Sequence, residues 1–399
     1  MIPIIDLHCH PALKVYMFNK DIRHVHHPWS DVYPFGMHVD LPGMKESNVR
    51  VILCSHYIPE AGFGNLDKSE WLFKILRLLL HSIMRRWESY NEPDDAYKKV
   101  LQSIDQVNRQ VSECGDQFNV VKASNSAEFE IAWRLGKTIV LHTIEGSHQL
   151  GSHSNFLEHY IAHLKILKNK GVCSITLAHF FENPICDTGG GIPPSTAIKI
   201  GYPENACTSK GLSSIGADVV NWCQDNGMLI DLVHCSIKTR SQVYDILDLR
   251  LKDGKIIRPV SFTHTGVREI AGPNMKIECD KFFLPDLYEI EKISTYKGVV
   301  GLILMNYWLI GIEEDDPGKI DHAIPFILES IDRIYNRLQH YDSIAIGTDL
   351  DGFSQVPDDL GHIRLLSKLS SAIEHKFGRE VAEKICYQNA LKLLRNAWD

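Results

Sequence analysis

The 399-residue sequence lacks an apolar run long enough to cross a membrane. Its longest nearly apolar stretch, residues 299–312, is interrupted by Asn306 and two glycines, whereas a spanning helix needs about 20 residues. The first residues contain neither a basic region nor a cleavable apolar stretch, so no signal peptide is predicted. We therefore expect a soluble, cytoplasmic protein with no membrane partner.

Paired cysteines and an excess of positive charge are also missing. None of the ten cysteines belongs to a CxxC pair, which argues against a cysteine zinc ribbon and favours reduced, buried thiols. The 42 lysines and arginines are outnumbered by 50 aspartates and glutamates, so no nucleic-acid partner is predicted. Histidine, in contrast, is abundant at 20 residues, and histidine is the commonest metal ligand in proteins.

Eight short apolar runs, rich in β-branched residues, predict buried parallel strands. They occupy residues 3–10, 49–58, 138–146, 172–179, 228–234, 259–265, 299–307 and 343–352. Helical patterns lie between most of them, at residues 156–170, 213–226, 236–249, 284–295, 322–340, 357–377 and 380–398. This alternation of strand and helix predicts an α/β fold, a (β/α)8 TIM barrel that forms one domain over residues 1–399.

Two segments exceed a minimal barrel. Residues 60–130 predict a helical insertion after strand 2, and residues 71–84 within it carry leucines and isoleucines at helical spacing. That apolar face favours packing on the barrel or on a partner subunit, so a homodimer is a further hypothesis.

Residues 180–210 contain three consecutive glycines and little periodicity. They form a long loop after strand 4, which indicates either an active-site loop or disorder.

Metal-competent or titratable side chains stand at the ends of six of the eight predicted strands. In chain order these are His8 and His10, Glu145, His179, His234, His264 and Asp349. His8 and His10 are two residues apart on one strand, so their side chains point the same way. Since catalytic groups of a barrel meet at the C-terminal ends of its strands, the whole set predicts a site for zinc or a similar divalent ion. For any one of these histidines alone, a structural role is the alternative.

The order of these motifs resembles the amidohydrolase superfamily, and within it the renal, or membrane, dipeptidases of peptidase family M19. The stretches that carry the resemblance are TIEGSHQL at 143–150, GVCSITLAH at 171–179, GLSSIGADVVNWCQDNGMLIDLVHCS at 211–236, PVSFTHT at 259–265 and IGTDLDG at 346–352. The resemblance spans nearly the whole chain apart from the insertion near residues 60–130.

This resemblance implies a metallohydrolase that cleaves the amide bond of a small substrate such as a dipeptide, by attack of a hydroxide that bridges two divalent ions, with Zn²⁺ the expected metal. Its implied metal ligands are His8 and His10 for the first ion, Glu145 as the bridge, and His234 and His264 for the second ion. Asp349 would take the proton of the bridging water, with Asp351 as the alternative. His179 would contact the substrate or the developing oxyanion.

Two departures from the family pattern bear on specificity. The family usually has HxD at the end of strand 1, where this chain has HxH. The family also binds the substrate carboxylate with an arginine directly before an asparagine, but here Asn274 follows Pro273 and Arg268 only lies nearby. Arg268 and Asn274, with His179, are the predicted substrate-binding residues. A non-dipeptide amide, an N-acyl amino acid or a lactone is the alternative substrate, and a metal-dependent phosphoesterase or nuclease is a further alternative.

Overall fold

The computed structural model describes residues 1–26, 36–64, 94–151, 156–202, 210–275, 282–313, 322–352 and 357–398. Its strands are β1 Ile4–Cys9, β2 Val49–His56, β3 Val120–Lys122, β4 Thr138–Glu145, β5 Val172–Thr176, β6 Leu229–Asp231, β7 Val260–Thr265, β8 Val300–Leu302 and β9 Ile344–Ile346. They pair in the order β2-β1-β9-β8-β7-β6-β5-β4-β3, and the pairing of β2 with β4 closes the sheet. The predicted (β/α)8 barrel is therefore confirmed.

Burial on both faces explains the continuous apolar runs. Every side chain of β1 and of β7 is buried, because one face of each strand lies toward the barrel interior and the other lies under the helices. Of the neighbouring strands, β2 pairs with β4 over six consecutive residues, from Val51 to His56. This pairing closes the sheet around eight strands, β1, β2 and β4 to β9, while β3 lies outside the ring. The ends of these eight strands therefore meet at one rim.

Helices pack around the barrel. Within the described residues they are Pro11–Phe18, Leu41–Ser47, Ala61–Gly64, Asp95–Glu113, Gly115–Phe118, Ser126–Arg134, Leu157–Asn169, Pro194–Ile200, Ser214–Asn226, Ile237–Lys252, Arg268–Ala271, Leu287–Thr295, Asn306–Ile310, Ile324–Leu338, Leu366–Phe377, Arg379–Glu383 and Asn389–Ala397. Short 3₁₀ turns occupy Ser147–Leu150, Gly272–Asn274 and Ile363–Leu365, and a π turn occupies Lys384–Gln388. None of the helices in this described part is both long and apolar enough to span a membrane.

The strand β3 was not predicted. Residues 60–130 are predicted to be helical, but Val120–Lys122 pairs in parallel with the first residues of β4 instead. Only two apolar residues, Val120 and Val121, stand together here, and such a short run does not predict a strand, so this part of the prediction is wrong for a local reason. The apolar face predicted at 71–84, and with it the dimer hypothesis, lies outside the described residues, as do residues 203–209 of the long loop.

The long loop after β5 is held against the rim of the barrel. An antiparallel bridge joins Thr188 to Cys235, and Trp308 Nε1 donates a hydrogen bond to the carbonyl oxygen of Gly191 at 2.9 Å. Gly191 has a φ of +125°, and a Cβ there would lie 2.5 Å from the Trp308 ring. The described part of the loop is thus ordered by contacts with the segments that follow β6 and β8.

Candidate metal centre

Five histidine rings surround one carboxylate at the C-terminal rim of the barrel. The distances from their Nε2 atoms to the nearer Glu145 oxygen are 3.3 Å for His8, 3.2 Å for His10, 3.6 Å for His179, 3.5 Å for His234 and 3.4 Å for His264. Donor atoms that share a tetrahedral zinc ion, with bonds of about 2.1 Å, lie about 3.4 Å apart. The spacing in this cluster therefore matches a set of ligands.

Strand ends and tight turns bring these side chains together. Glu145 is the last residue of β4, and His264 lies within β7. His234 and Asp349 each lie three residues beyond the end of a strand, in the left-handed backbone region with φ values of 62° and 57°. This conformation costs energy for a residue other than glycine and is concentrated at functional sites. The structure thus brings these predicted residues together at one rim.

The motif GTDLDG contains two carboxylates, Asp349 and Asp351, which the sequence left as alternatives. In the structure they have different contacts. Asp349 Oδ1 lies 3.2 Å from His10 Nε2 at the cluster. Asp351 instead accepts hydrogen bonds from the backbone N–H groups of His38 and Val39, at 2.8 Å and 3.1 Å. A Cβ at Gly352 would lie 2.2 Å from Asp349 Oδ1, so glycine leaves room for that carboxylate. Asp349 faces the cluster, and Asp351 anchors the segment that contains His38.

The electrostatics of the cluster fit a cation. Burial alone would raise the pKa of Glu145, but the charges of His179, His10 and His8 hold it well below its usual range. Burial alone would lower the pKa of His10, but Glu145 and Asp349 raise it to about 10. The two carboxylates thus attract positive charge, which a divalent ion would supply in place of a proton.

Two groups of donors in the cluster share one residue. One ligand atom from each of His8, His10 and Glu145 lies within 4.8 Å of the others, and the same holds for Glu145, His234 and His264. Asp349 forms a third such group with His8 and His264. Because Glu145 has two oxygens and belongs to two of these groups, the arrangement can hold two ions side by side.

Thr263 fixes two of the imidazole rings from outside the cluster. Its Oγ1 lies 3.2 Å from His8 Nδ1 and 3.1 Å from His264 Nδ1, and it donates to Asp231 Oδ2 at 2.6 Å. A hydroxyl has one proton, so Thr263 can only accept from both rings. The Nδ1–H of each ring then points to Thr263, and the Nε2 lone pair points to Glu145, as in metal-ligating histidines.

Removing the Thr263 hydroxyl is expected to weaken metal binding. We predict that Thr263→Val binds Zn²⁺ about 10–100-fold more weakly, the usual loss when an outer hydrogen-bond partner of a ligand is removed. Thr263→Ser keeps the hydroxyl and is the matched control. Competition with a chromophoric chelator measures both affinities, and an affinity for Thr263→Val equal to that of the wild type would contradict this role.

His234 and His179 are oriented in the same way by oxygen acceptors. His234 Nδ1 lies 2.9 Å from the carbonyl oxygen of Gly190. His179 Nδ1 lies 3.0 Å from Glu60 Oε1. Burial alone would raise the pKa of Glu60, but the charges of His179 and His148 lower it to about 2. Glu60 is therefore an ionised acceptor that holds the ring of His179 in place.

Glu60, Asp231 and Thr263 were not predicted as site residues. Glu60 lies two residues beyond the second apolar run and is the first residue of the predicted insertion. Asp231 interrupts the apolar run at 228–234, and an acidic side chain in a buried strand is a signal that could have identified it. Thr263 carried no comparable signal, because threonine is an ordinary strand residue.

Among the described residues, no contact joins Arg268 or Asn274 to the cluster. Arg268 donates to the carbonyl oxygen of Leu284 at 2.7 Å and to Asp286 Oδ2 at 2.9 Å. Asn274 Nδ2 donates to the carbonyl oxygen of Ile310 at 2.7 Å. These contacts occupy part of the hydrogen-bonding capacity of each side chain.

Comparison with known proteins identifies similar sequences and folds. The model of the family described as membrane dipeptidase (peptidase family M19) matches residues 1–399. Dipeptidase tcpJ of Claviceps purpurea is 24% identical over 366 residues, which are 91% of this chain and 70% of that protein. An uncharacterized dipeptidase of Schizosaccharomyces pombe is 24% identical over 266 residues, 67% of this chain and 54% of that protein.

A solved structure shares the fold at low sequence identity. It is a metallopeptidase from Rhodobacter sphaeroides liganded with a phosphinate mimic of the dipeptide L-Ala-D-Ala. It aligns with a TM-score of 0.69 at 18% identity and covers 100% of this chain and 99% of its own. This match supports the barrel architecture over the full length of the chain.

Proposed function

Because the chain belongs to peptidase family M19, the membrane dipeptidase family, we propose that it hydrolyses the amide bond of a dipeptide or a closely related small amide at the cluster around Glu145. The observation that carries the proposal is that Glu145 is shared by two groups of histidine ligands. Such a shared carboxylate is what a hydrolase with two adjacent divalent ions requires. A small-molecule substrate in the cytoplasm is part of the same proposal.

The ligand set suits two zinc ions. His8 and His10 would hold one, His234 and His264 the other, and Glu145 both, because imidazole and carboxylate are zinc ligands. When bound, such ions lower the pKa of a shared water toward neutrality and polarise a carbonyl group. A fourth imidazole-bearing strand end, that of His179, remains available for the substrate.

Asp349 is the proposed general base. Its side chain is 14% exposed, whereas the side chains of His8, His10 and Glu145 are 2–3% exposed. Asp349 thus lies at the open side of the cluster, where substrate and water enter. From there its carboxylate can accept the proton of the attacking water and pass it to the leaving amine.

His179 is the proposed contact for the developing oxyanion. Glu60 holds Nδ1 of its ring, so Nε2 faces the cluster at 3.6 Å from Glu145. A side chain that is positioned before the reaction stabilises a developing negative charge without reorganising. The Tyr57 ring packs on His179 with centroids 4.4 Å apart, which restricts its motion.

Aromatic rings form the walls around the histidines. Trp308 lies 5.1 Å from His234 and 5.7 Å from His264 between ring centroids, and Phe180 lies 5.3 Å from His234. These rings shield His234 and His264 from water on the side that they cover and give that wall an apolar surface. The surroundings therefore favour a small substrate with an apolar side chain.

The contacts of Arg268 and Asn274 favour a second candidate substrate. Arg268 is engaged by Leu284 and Asp286, and Asn274 by Ile310. These contacts use part of the donor capacity of each side chain, which leaves fewer donors for a terminal carboxylate. A small amide or N-acyl compound without that carboxylate is therefore the alternative to a dipeptide.

A paired substrate panel tests this proposal. Dipeptides and the same dipeptides amidated at the carboxyl end are supplied to the metal-loaded chain, and released amino acid is measured. We expect hydrolysis of free dipeptides with a kcat/KM at least about 10-fold higher than that of the amides, the effect of one hydrogen bond to a charged group. A reversed preference would favour the alternative substrate. No hydrolysis of either series by a folded, metal-loaded chain would contradict the proposal.

A further inference from the structure

A second cluster of metal-competent groups lies apart from the barrel centre and shares no residue with it. It consists of Asp94, His159 and His163, one ligand atom of each lying within 4.8 Å of the others. We propose that these three side chains bind one structural divalent cation, with zinc the best match to two imidazoles and a carboxylate. This inference does not depend on the proposed hydrolase activity.

Two of the ligands come from one helix face. His159 and His163 are four residues apart on the helix Leu157–Asn169, a spacing that brings side chains together on the helix surface. Their ring centroids are 4.2 Å apart. The third group comes from a different element, because Asp94 precedes the helix Asp95–Glu113, and its Oδ1 lies 3.0 Å from His159 Nε2. A cation here would connect two helices that are distant in sequence.

The ring of His163 is prepared for a metal. Its Nδ1 lies 2.9 Å from the carbonyl oxygen of Leu150, so this nitrogen carries the proton and donates it. The Nε2 atom then carries the lone pair, which is the form that metal-ligating histidines adopt when a backbone carbonyl accepts from the other nitrogen. The Tyr97 ring stacks on His163 at 3.5 Å between centroids and 4° between planes, which fixes its orientation.

The carboxylate of Asp94 is directed to the histidines. Asp94 occupies the N-cap position of the helix Asp95–Glu113, where an aspartate side chain usually accepts a hydrogen bond from a backbone N–H of the first turn. Asp94 makes no such capping hydrogen bond, and its Oδ1 faces His159 instead. With side-chain exposures of 26% for Asp94 and 29% for His159, water can reach the site and complete the coordination of a cation.

The position of this cluster suggests what the cation stabilises. Leu150, which accepts from His163, ends the 3₁₀ turn that begins two residues after Glu145. A cation bound to Asp94, His159 and His163 would therefore fasten the start of the helix Asp95–Glu113 to the segment that follows the shared carboxylate of the barrel centre. Its role is to hold the helix Asp95–Glu113 on the barrel rim.

The test counts Zn²⁺ in a chain whose barrel centre is disabled. We compare Glu145→Gln with a triple variant that also carries Asp94→Asn and His159→Asn, two partly exposed positions at which folding is expected to survive. Each metal-free full-length chain is titrated with Zn²⁺ by calorimetry. We expect Glu145→Gln to retain one site and the triple variant to bind there at least about 100-fold more weakly, since removing ligands exceeds the loss from an outer partner.

Two controls keep the result decisive. His375→Asn replaces an exposed histidine on the helix Leu366–Phe377 and should leave Zn²⁺ binding unchanged. Thermal unfolding should show that Zn²⁺ raises the Tm of Glu145→Gln but not of the triple variant. Equal Zn²⁺ binding and equal Tm shifts in the two chains would overturn the inference. The hydrolase proposal fails separately, if Glu145→Gln binds as much metal as the wild type.

Discussion

Glu145→Gln is expected to lose both cations of the barrel centre and nearly all turnover. Five Nε2 atoms lie within 3.6 Å of the Glu145 oxygens, so among the described residues this carboxylate is the one negative group common to all of them. An amide keeps the shape but has no charge and presents one oxygen instead of two, which removes the shared ligand. Turnover should fall by more than the roughly 10²–10⁴-fold typical of losing a single acid or base, because every step at the site depends on the ions.

Steady-state kinetics on a dipeptide measure this loss, and circular dichroism shows whether the chain is folded. Glu130→Gln is the control, because Glu130 pairs with Arg395 on the surface and takes no part in the cluster. Its turnover should equal that of the wild type. If Glu145→Gln hydrolysed the dipeptide at a rate near that of the wild type, the shared carboxylate would have no role in the reaction.

Asp349→Asn is expected to lose turnover while it keeps its metal. Asparagine cannot accept a proton at the position of Asp349, so kcat should fall by about 10²–10⁴-fold. Zn²⁺ content should stay the same, because the four histidines and Glu145 of the two ligand groups remain. Kinetics and metal analysis of one preparation separate these two effects.

Asp351→Asn is the matched comparison on the same turn. Asp351 holds the backbone of His38 and Val39, so its replacement should lower the free energy of unfolding and affect the chemical step less than Asp349→Asn does. Turnover that is lost in Asp351→Asn and retained in Asp349→Asn would move the base to Asp351. The geometry at His10 argues against that outcome, since it is Asp349 that approaches the ring, at 3.2 Å.

The barrel and the residues of its centre were predictable because both depend on local patterns. A strand buried on two faces is apolar along its whole length, as in β1 and β7, and such runs are visible in a sequence. The barrel then places every strand end at one rim, so histidines far apart in the chain converge. His8 and His264, which are distant in sequence, lie 3.7 Å apart between ring centroids for this reason.

The partners that orient these residues were less predictable, because they depend on packing between distant segments. Glu60 contacts His179, which is 119 positions away in the chain. The hydroxyl of Thr263, an ordinary residue of an apolar strand, lies between two imidazoles that come from different strands. The engagement of Arg268 by Asp286 likewise follows from the path of the chain after β7. A sequence shows which side chains can bind a metal or a carboxylate, and not which of them are already paired.

The metal content of two purified chains tests the central claim most directly. Both carry Asp94→Asn and His159→Asn, so that the second cluster does not contribute, and one of them also carries Glu145→Gln. The account predicts two Zn²⁺ ions per chain with Glu145 intact and none at the barrel centre of the chain that carries Glu145→Gln, together with dipeptide hydrolysis only in the first. Equal metal content in the two chains would contradict a shared-carboxylate site, and hydrolysis by a metal-free, folded chain would contradict a metal-dependent reaction.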